Sequence, residues 1–456
     1  MNTKFSPITG SIVAPRGFLA SGVFCDIKRL GTGKGSEKGR KRDLALIVSE
    51  VPATVAGMFT TNQICAAPVK VCIQRVKKGV AQALVVNSGN ANACTGKRGL
   101  RDALEMTAVA AKALRIPAEQ VLVGSTGRIG VMLPMDNLRR GIRDAVKVLG
   151  DSPECADHAA EAIITSDTQR KQIAVAFKLG GATVSIGGIC KGAGMIQPGM
   201  SATGKRPAAV RGKSSRRGAP NGGGSHRHAT MLCFITTDAA IDSKALQAAL
   251  AEAVAESFNR ITVDGDMSTN DTVLVLANGL AGNPELRAPN SDLRTFQSGL
   301  KLVCLELARM IVRDGEGVSR FITVRLSGAR NPAEADAAAR AVANSALVKT
   351  SWNGGDPNWG RIIDALGYSS AQVVEERVDI GYSAPGSRNI LWSLKRGQPT
   401  KARFKDLCAA VALKEFDLHI KLNLGQASAI IYGADLTAEY VEFNKGDVSD
   451  PASLGG

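Results

Sequence analysis

Aromatic residues are scarce: 12 Phe, 4 Tyr and 3 Trp in 456 residues. Platforms for stacking bases are therefore poorly supplied, which argues against a surface built for single-stranded nucleic acid. Histidine is scarcer, with only His158, His226, His228 and His419, so Ser-His-Asp chemistry has little raw material. No apolar run approaches the ~20 residues of a membrane-spanning helix. Met1 to Gly22 has neither an apolar signal core nor an Arg-rich, Ser-rich presequence, so the expected location is cytoplasmic and no membrane partner is expected. The nine cysteines are odd in number and form no Cys-x-x-Cys pair. Buried thiols in a reducing compartment fit this better than a disulfide framework or a zinc site.

What is present is a globular composition, 44% apolar, in a chain too long for one ordinary core. Two lobes or one extended two-layer fold are expected. The net charge is +16, but it is concentrated. Residues 28–42 hold seven Lys/Arg against Glu37, and residues 201–228 hold seven more with no acid. Nearly all of the excess belongs to two loops. Each reads as a solvated loop, with polyanion binding the minor alternative, so a nucleic-acid partner is not expected.

Along the chain, Leu44–Val48, Ala56–Asn62, Ala83–Val86, Val121–Val123 and Thr183–Cys190 read as strands. Arg101–Arg115, Asp136–Leu149, Ser243–Ser257 and Leu300–Val312 have helical spacing. Val273–Leu276, Leu418–Leu424 and Ala427–Tyr432 read as later strands. Small polar residues follow two of these strands, in Asn87-Ser88-Gly89-Asn90 and Gly124-Ser125-Thr126-Gly127, and suit tight turns there. Glycines after a strand also let backbone N–H groups approach an anion. Asp264, Asp266 and Asp271 lack the ligand order and terminal Glu of a calcium loop.

One junction stands out. At Ala229-Thr230-Met231-Leu232 a Gly-, Ser- and Arg-rich stretch gives way to an apolar, β-branched run. A Thr at a strand edge is ordinarily structural. If the Ala229–Thr230 bond were cut, however, the freed amine would lie beside the hydroxyl it must deprotonate, which is a way to activate a weak nucleophile. Upstream stands Lys191-Gly192-Ala193-Gly194-Met195-Ile196-Gln197-Pro198-Gly199-Met200.

Joined together, Lys191–Met200 and Ala229–Leu232 resemble the self-cleavage segment of the ornithine acetyltransferase family, also called the glutamate N-acetyltransferase family. Here 28 residues, Ser201 to His228, interrupt the pattern. Further runs are similar to that family: Asn87–Ala93, Ser125–Gly130, Thr165–Thr168, Gly265–Asp271, Arg313–Gly317, Trp352–Ile362 and Asp435–Asn444.

The resemblance implies a layered α/β sandwich of N-terminal-nucleophile type, cut into an α piece, 1–229, and a β piece, 230–456. It implies Thr230 as nucleophile, Thr126 and Gly127 as the oxyanion hole, and Thr165, Lys191, Thr230, Glu316, Asn444 and, by spacing, Ser449 as substrate contacts. Lys191 would meet the substrate carboxylate and Glu316 its amine. The implied reaction moves acetyl from N-acetylornithine to glutamate in arginine biosynthesis, with no metal or organic cofactor, leaving open acetyl-CoA as a second acetyl source. An assembly of two α and two β pieces is implied. The insert has the composition of a disordered loop, and two readings compete with the enzyme. One is an uncut protein whose basic loops hold an acidic partner; the other is a related acyltransferase or amide hydrolase with a different substrate.

Overall fold

The computed structural model describes residues 5–28, 41–206, 230–287 and 289–444. Most of the basic loop, residues 207–228 of the insert, Ala229 and Ser449 lie outside the described residues. The chain divides into two compact units. The first takes the described residues up to Asn259, Met267–Ile311 and Asn444; the second takes Arg260–Asp266 and Val312–Phe443.

Among the described residues, ten strands make the sheet of the first unit. They are β1 (Ser6–Pro7), β2 (Phe18–Val23), β3 (Leu44–Thr60), β4 (Val80–Asn90), β5 (Val121–Arg128), β6 (Lys171–Leu179), β7 (Ala182–Lys191), β8 (Met200–Ser201), β9 (Leu232–Thr237) and β10 (Thr272–Ala277). Their order is β1-β6-β7-β9-β10-β3-β4-β5, and β2 and β8 also pair with β3. β9 is central: it runs parallel to β10 and antiparallel to β7. All six of its residues, Leu-Cys-Phe-Ile-Thr-Thr, are buried, as a strand covered on both faces requires. Cys72, Met106, Leu138 and Ile163 come from four covering helices, Ala67–Val76, Gly96–Leu114, Met135–Lys147 and Pro153–Ile163. They meet Leu46, Leu84 and Val123 of the strands in one core.

Three readings from the sequence are corrected. Leu44–Val48 and Ala56–Asn62 belong to one 17-residue strand, β3. Its register with β4 shifts between Val48 and Ala53, where Pro52 stands, and a proline inside a sheet is tolerated at such an irregularity. The two polar "turns" are strand as well. Asn87↔Ser125, Ser88↔Thr126 and Gly89↔Gly127 are paired in the parallel β4–β5 ladder. Two of the serines find partners inside: Ser125 Oγ donates to Asn87 Oδ1 (2.6 Å) and Ser88 Oγ to the Ala162 carbonyl (2.6 Å). The first residues of the insert have their own structure. Met200–Ser201 pairs with the end of β3, and Gly204 N–H donates to Ser201 O (3.3 Å) to close a turn.

The second unit carries β11 (Phe321–Ala329), β12 (Asp379–Ser383), β13 (Leu391–Lys395), β14 (Gln398–Pro399), β15 (Glu415–Lys421) and β16 (Ala427–Ala434), in the order β14-β13-β12-β15-β11-β16. Trp352 and Tyr382 meet the Phe416 ring edge-on, 6.4 and 6.3 Å away, in a core shared with the Pro332–Asn344 helix. Each unit is a sheet layered with helices, the α/β class expected. The pieces 1–229 and 230–456 do not coincide with the units, because β9 and β10 lie between β7 and β3.

Candidate active site

Thr230 stands two residues before β9 and is 1% exposed. Its surroundings are set by backbone pairing. Leu232 lies opposite Lys191 of β7 on one side and Thr272 of β10 on the other. One residue past Thr230, Met231 N–H donates to Asp271 Oδ1 (3.1 Å), and Thr272 N–H donates to Met231 O (3.2 Å). The Thr230 hydroxyl shares a 2.8 Å hydrogen bond with Ser268 Oγ. Ser268 is itself held: its Oγ accepts from Asn270 N–H (3.1 Å) and its carbonyl accepts from Thr60 Oγ1 (2.7 Å). Thr60 is also the ladder partner of Met200. The last residue of the upstream motif and Thr230 are thus fastened through the same Thr60–Ser268 pair.

From Ser268 the network runs on to β5. Asn270 Nδ2 donates to the carbonyls of Ala91 (2.7 Å) and Ser125 (2.9 Å), fixing the backbone just before Thr126. Thr126 is fully buried, and its Oγ1 has no hydrogen-bond partner among the described residues. A buried hydroxyl left so carries a desolvation cost, and a donor prepared for a developing charge is one reason for a fold to keep it. Gly127 has φ +131°, and a Cβ there would sit 2.2 Å from the Gly89 carbonyl carbon. Only glycine lets the two backbones approach this closely.

Lys191 ends β7 with its side chain fully buried, and its Nζ donates to Thr165 Oγ1 at 2.7 Å. Beside them lies Asp167. Its Oδ1 accepts from Lys171 Nζ (2.6 Å) and Gly192 N–H (2.7 Å), and its Oδ2 accepts from Thr165 N–H (3.1 Å). Burial alone would raise the Asp167 carboxyl. Lys171, Lys191 and the Gly192 N–H outweigh that and hold it well below the usual carboxylate range.

In the first unit Lys191 is thus bonded to Thr165 and paired with Leu232 two residues after Thr230, and Asn270 ties the Thr230–Ser268 contact to the backbone just before Thr126 and Gly127. Glu316 belongs to the second unit, where it is 4% exposed and follows the Ser291–Arg313 helix. Asn444 is the last residue of the Ala438–Asn444 helix. Ala229 and Ser449 lie outside the described residues. Ser268 and Asn270 lie in the family-like run Gly265–Asp271 and Asp167 in Thr165–Thr168, but the sequence assigned none of them a role of its own, and Lys171 lay outside every such run. Ser268 is 38 positions from Thr230, and no spacing rule joins them. The second unit also holds a Ser–His pair, with Ser383 Oγ 2.9 Å from His419 Nε2. The Ser383 hydroxyl also has the Ala384 carbonyl as an acceptor, 3.0 Å away, which competes with His419 for its one proton.

The ArgJ family profile matches residues 28–446. The arginine biosynthesis bifunctional protein ArgJ of Symbiobacterium thermophilum is 46% identical over 439 residues, 96% of this chain and 98% of that one. The protein of the same name from Halalkalibacterium halodurans is 42% identical, with 96% of each chain covered. Among solved structures, the ornithine acetyltransferase of Mycobacterium tuberculosis, complexed with ornithine, has a chain 36% identical to this one. That alignment covers 43% of this chain and 100% of that chain, with a TM-score of 0.39. With a match over almost its whole length, the chain belongs to the ArgJ family, the ornithine acetyltransferase family to which its motifs pointed.

Proposed function

We propose that this protein is an acetyltransferase that moves the acetyl group of N-acetylornithine to glutamate, giving ornithine and N-acetylglutamate for arginine biosynthesis. The observation that carries the reading is the placement of the Thr230 hydroxyl. It is buried at the head of a central strand, 2.8 Å from Ser268 Oγ, and linked through Asn270 to the strand that bears Thr126. Relatives that align along nearly the full chain bear the arginine biosynthesis bifunctional name, which supports the enzyme over an uncut, anion-binding protein.

The chemistry runs in two stages. In the first, Thr230 Oγ1 attacks the Ala229 carbonyl carbon and the peptide C–N bond breaks, which frees the Thr230 amine and leaves an ester; water then hydrolyses that ester, releasing the Ala229 carboxylate and the Thr230 hydroxyl. In the second, that amine takes the hydroxyl proton as Oγ1 attacks the acetyl carbonyl of N-acetylornithine. Thr126 Oγ1 and Gly127 N–H donate to the oxyanion, each such donor typically lowering the barrier by ~3 kcal/mol. The C–N bond breaks, the leaving amine takes the proton, and acetyl remains as an ester on Thr230. The amine of glutamate then attacks that ester, the acyl C–O bond breaks, and the proton lost by the amine returns to Thr230 Oγ1 as N-acetylglutamate leaves. In this reading Lys191 meets the substrate carboxylate and Glu316 the amine, with Thr165, Asn444 and Ser449 as further substrate contacts. Nothing in this scheme requires a metal or organic cofactor, and acetyl-CoA is a second acetyl source to be assayed. The working form is a cytoplasmic assembly of two α and two β pieces.

Intact mass of freshly purified protein, beside Thr230→Ala, tests the first stage. Two fragments meeting at Ala229/Thr230, absent from the variant, are expected, together with a +42 Da β piece, the mass of one added acetyl group, after incubation with N-acetylornithine. A single uncut chain in both samples, with no acetyl transfer to glutamate, sinks the reading and leaves the anion-binding alternative.

A further inference from the structure

We propose that Lys171 is a positioning residue for Lys191: it takes up the charge of Asp167, so that the Lys191 ammonium stays on Thr165 Oγ1 and faces a substrate carboxylate. This rests on the acetyl-transfer reading and adds a residue to it.

Three charged side chains meet here in the first unit, and all are shielded from water: Lys171 is 2% exposed, Asp167 and Lys191 are 0%. The distances divide the roles. Lys171 Nζ lies 2.6 Å from Asp167 Oδ1, a direct charge-assisted hydrogen bond. Lys191 Nζ lies 3.7 Å from Asp167 Oδ2, too long for one, and bonds Thr165 Oγ1 at 2.7 Å instead. The same carboxylate accepts the N–H groups of Thr165 (3.1 Å) and Gly192 (2.7 Å). Asp167 is therefore the fixed point from which Thr165 and the residue after Lys191 are hung. Of the two lysines, Lys171 makes the direct contact with the carboxylate, and Lys191 Nζ stays on the Thr165 hydroxyl.

Without Lys171 the balance changes. Asp167 would then face Lys191 as its remaining cation within this trio, and a buried carboxylate deprived of its main partner draws in the nearest charge. Lys191 would leave Thr165 for Asp167 Oδ2, and the carboxylate site would be neutralised from within. Lys171 acts through Lys191, without touching the substrate.

The test uses the purified full-length protein and four chains: wild type, Lys171→Met, Lys171→Arg and the double variant Lys171→Met/Asp167→Asn. L-glutamate binding is followed by calorimetry and acetyl transfer by steady-state kinetics. Lys171→Met is expected to raise the Kd and KM for glutamate roughly tenfold or more, the size of one lost buried charge contact, with kcat changed less than about threefold. Lys171→Arg restores most of the affinity. The double variant also returns toward wild type, since the anion that captured Lys191 has gone with its partner. Unchanged glutamate affinity in a folded Lys171→Met protein overturns the proposal. So does a double variant as weak as the single one, which would place Lys171 on the substrate itself. Where Lys171→Met does not fold, the double variant and the Arg variant decide on the same criterion. A wild type that binds glutamate but transfers no acetyl group defeats the acetyl-transfer reading alone, and the titrations still judge Lys171. A wild type that neither binds nor transfers defeats both.

Discussion

Thr230 Oγ1 and Ser268 Oγ lie 2.8 Å apart although their residues are 38 positions apart in the chain. The contact exists because β9 and β10 run parallel, with Thr272 opposite Leu232, so the segments leading into both strands emerge side by side. Ser268 Oγ, accepting from Asn270 N–H, fixes the direction of the Thr230 hydroxyl before any amine is freed. Ser268→Ala should slow both self-cleavage and acetyl transfer by roughly 10- to 100-fold, the kinetic equivalent of one hydrogen bond to a buried reacting group. A gel time course of fragment appearance and a steady-state transfer assay read the two steps separately. Wild-type rates in both would reduce the contact to packing.

Thr126 offers a case where activity and stability should part. Its buried Oγ1 has no partner among the described residues, so the fold bears the desolvation of that hydroxyl without a bond in return. Thr126→Val keeps the shape and removes the polar atom. The expected result is a melting temperature equal to or above that of wild type, with kcat for acetyl transfer lower by about 100- to 1,000-fold, the usual loss for one oxyanion donor. A variant that loses stability and activity in proportion would make Thr126 a structural residue.

How much of this was legible in the sequence follows from how local each feature is. The α/β class and the Thr230 junction were readable because apolar runs and a contiguous motif carry them. β4 and β5 were cut short because Asn, Ser and Gly are poor strand formers; here the Ser125 side chain bonds to Asn87 inside the sheet. β3 was split at Pro52, where a bulge lets the strand continue. The runs that hold Ser268 and Asp167 were recognised as family-like, but the roles of these two residues, and Lys171 altogether, were out of reach for another reason. Their significance lies in which strand ends are neighbours, and β9 inserting between β7 and β10 is a long-range outcome that no window of sequence contains.

Lys349 supplies a pH test of the second unit. Burial pushes its ammonium down from 10.5 to about 8, with Asp264 and Asp435 opposing only part of the effect. Its Nζ donates to the Ala434 carbonyl. Between the folded and unfolded values the unfolded chain holds a proton that the folded chain lacks, so stability from this group rises with pH across that window. Below about pH 8 the cost of burying the charge is fully present, and above 10.5 it is gone. Denaturant titrations from pH 7.5 to 10.5 should show the stability of wild type rising relative to Lys349→Met. A parallel pH response in the two proteins would mean that Lys349 is neutral already or that water reaches it.

If the chain is cut at Ala229/Thr230 as proposed, its two pieces should stay together. β9 comes from the downstream piece and is hydrogen-bonded on one side to β7 of the upstream piece, while β10 of the downstream piece is bonded to β3 of the upstream one. Pulling the pieces apart would open two ladders in the middle of the sheet and expose Leu232, Phe234, Leu274 and Leu276, all at most 1% exposed. Unpaired backbone groups and bare apolar faces of that extent are not stable in water. The cut chain should therefore elute as one species on size exclusion in native buffer and unfold in one cooperative transition. The fragments should separate only in denaturant, and neither expressed alone should fold. A downstream piece that elutes by itself in native buffer would contradict the interleaved sheet.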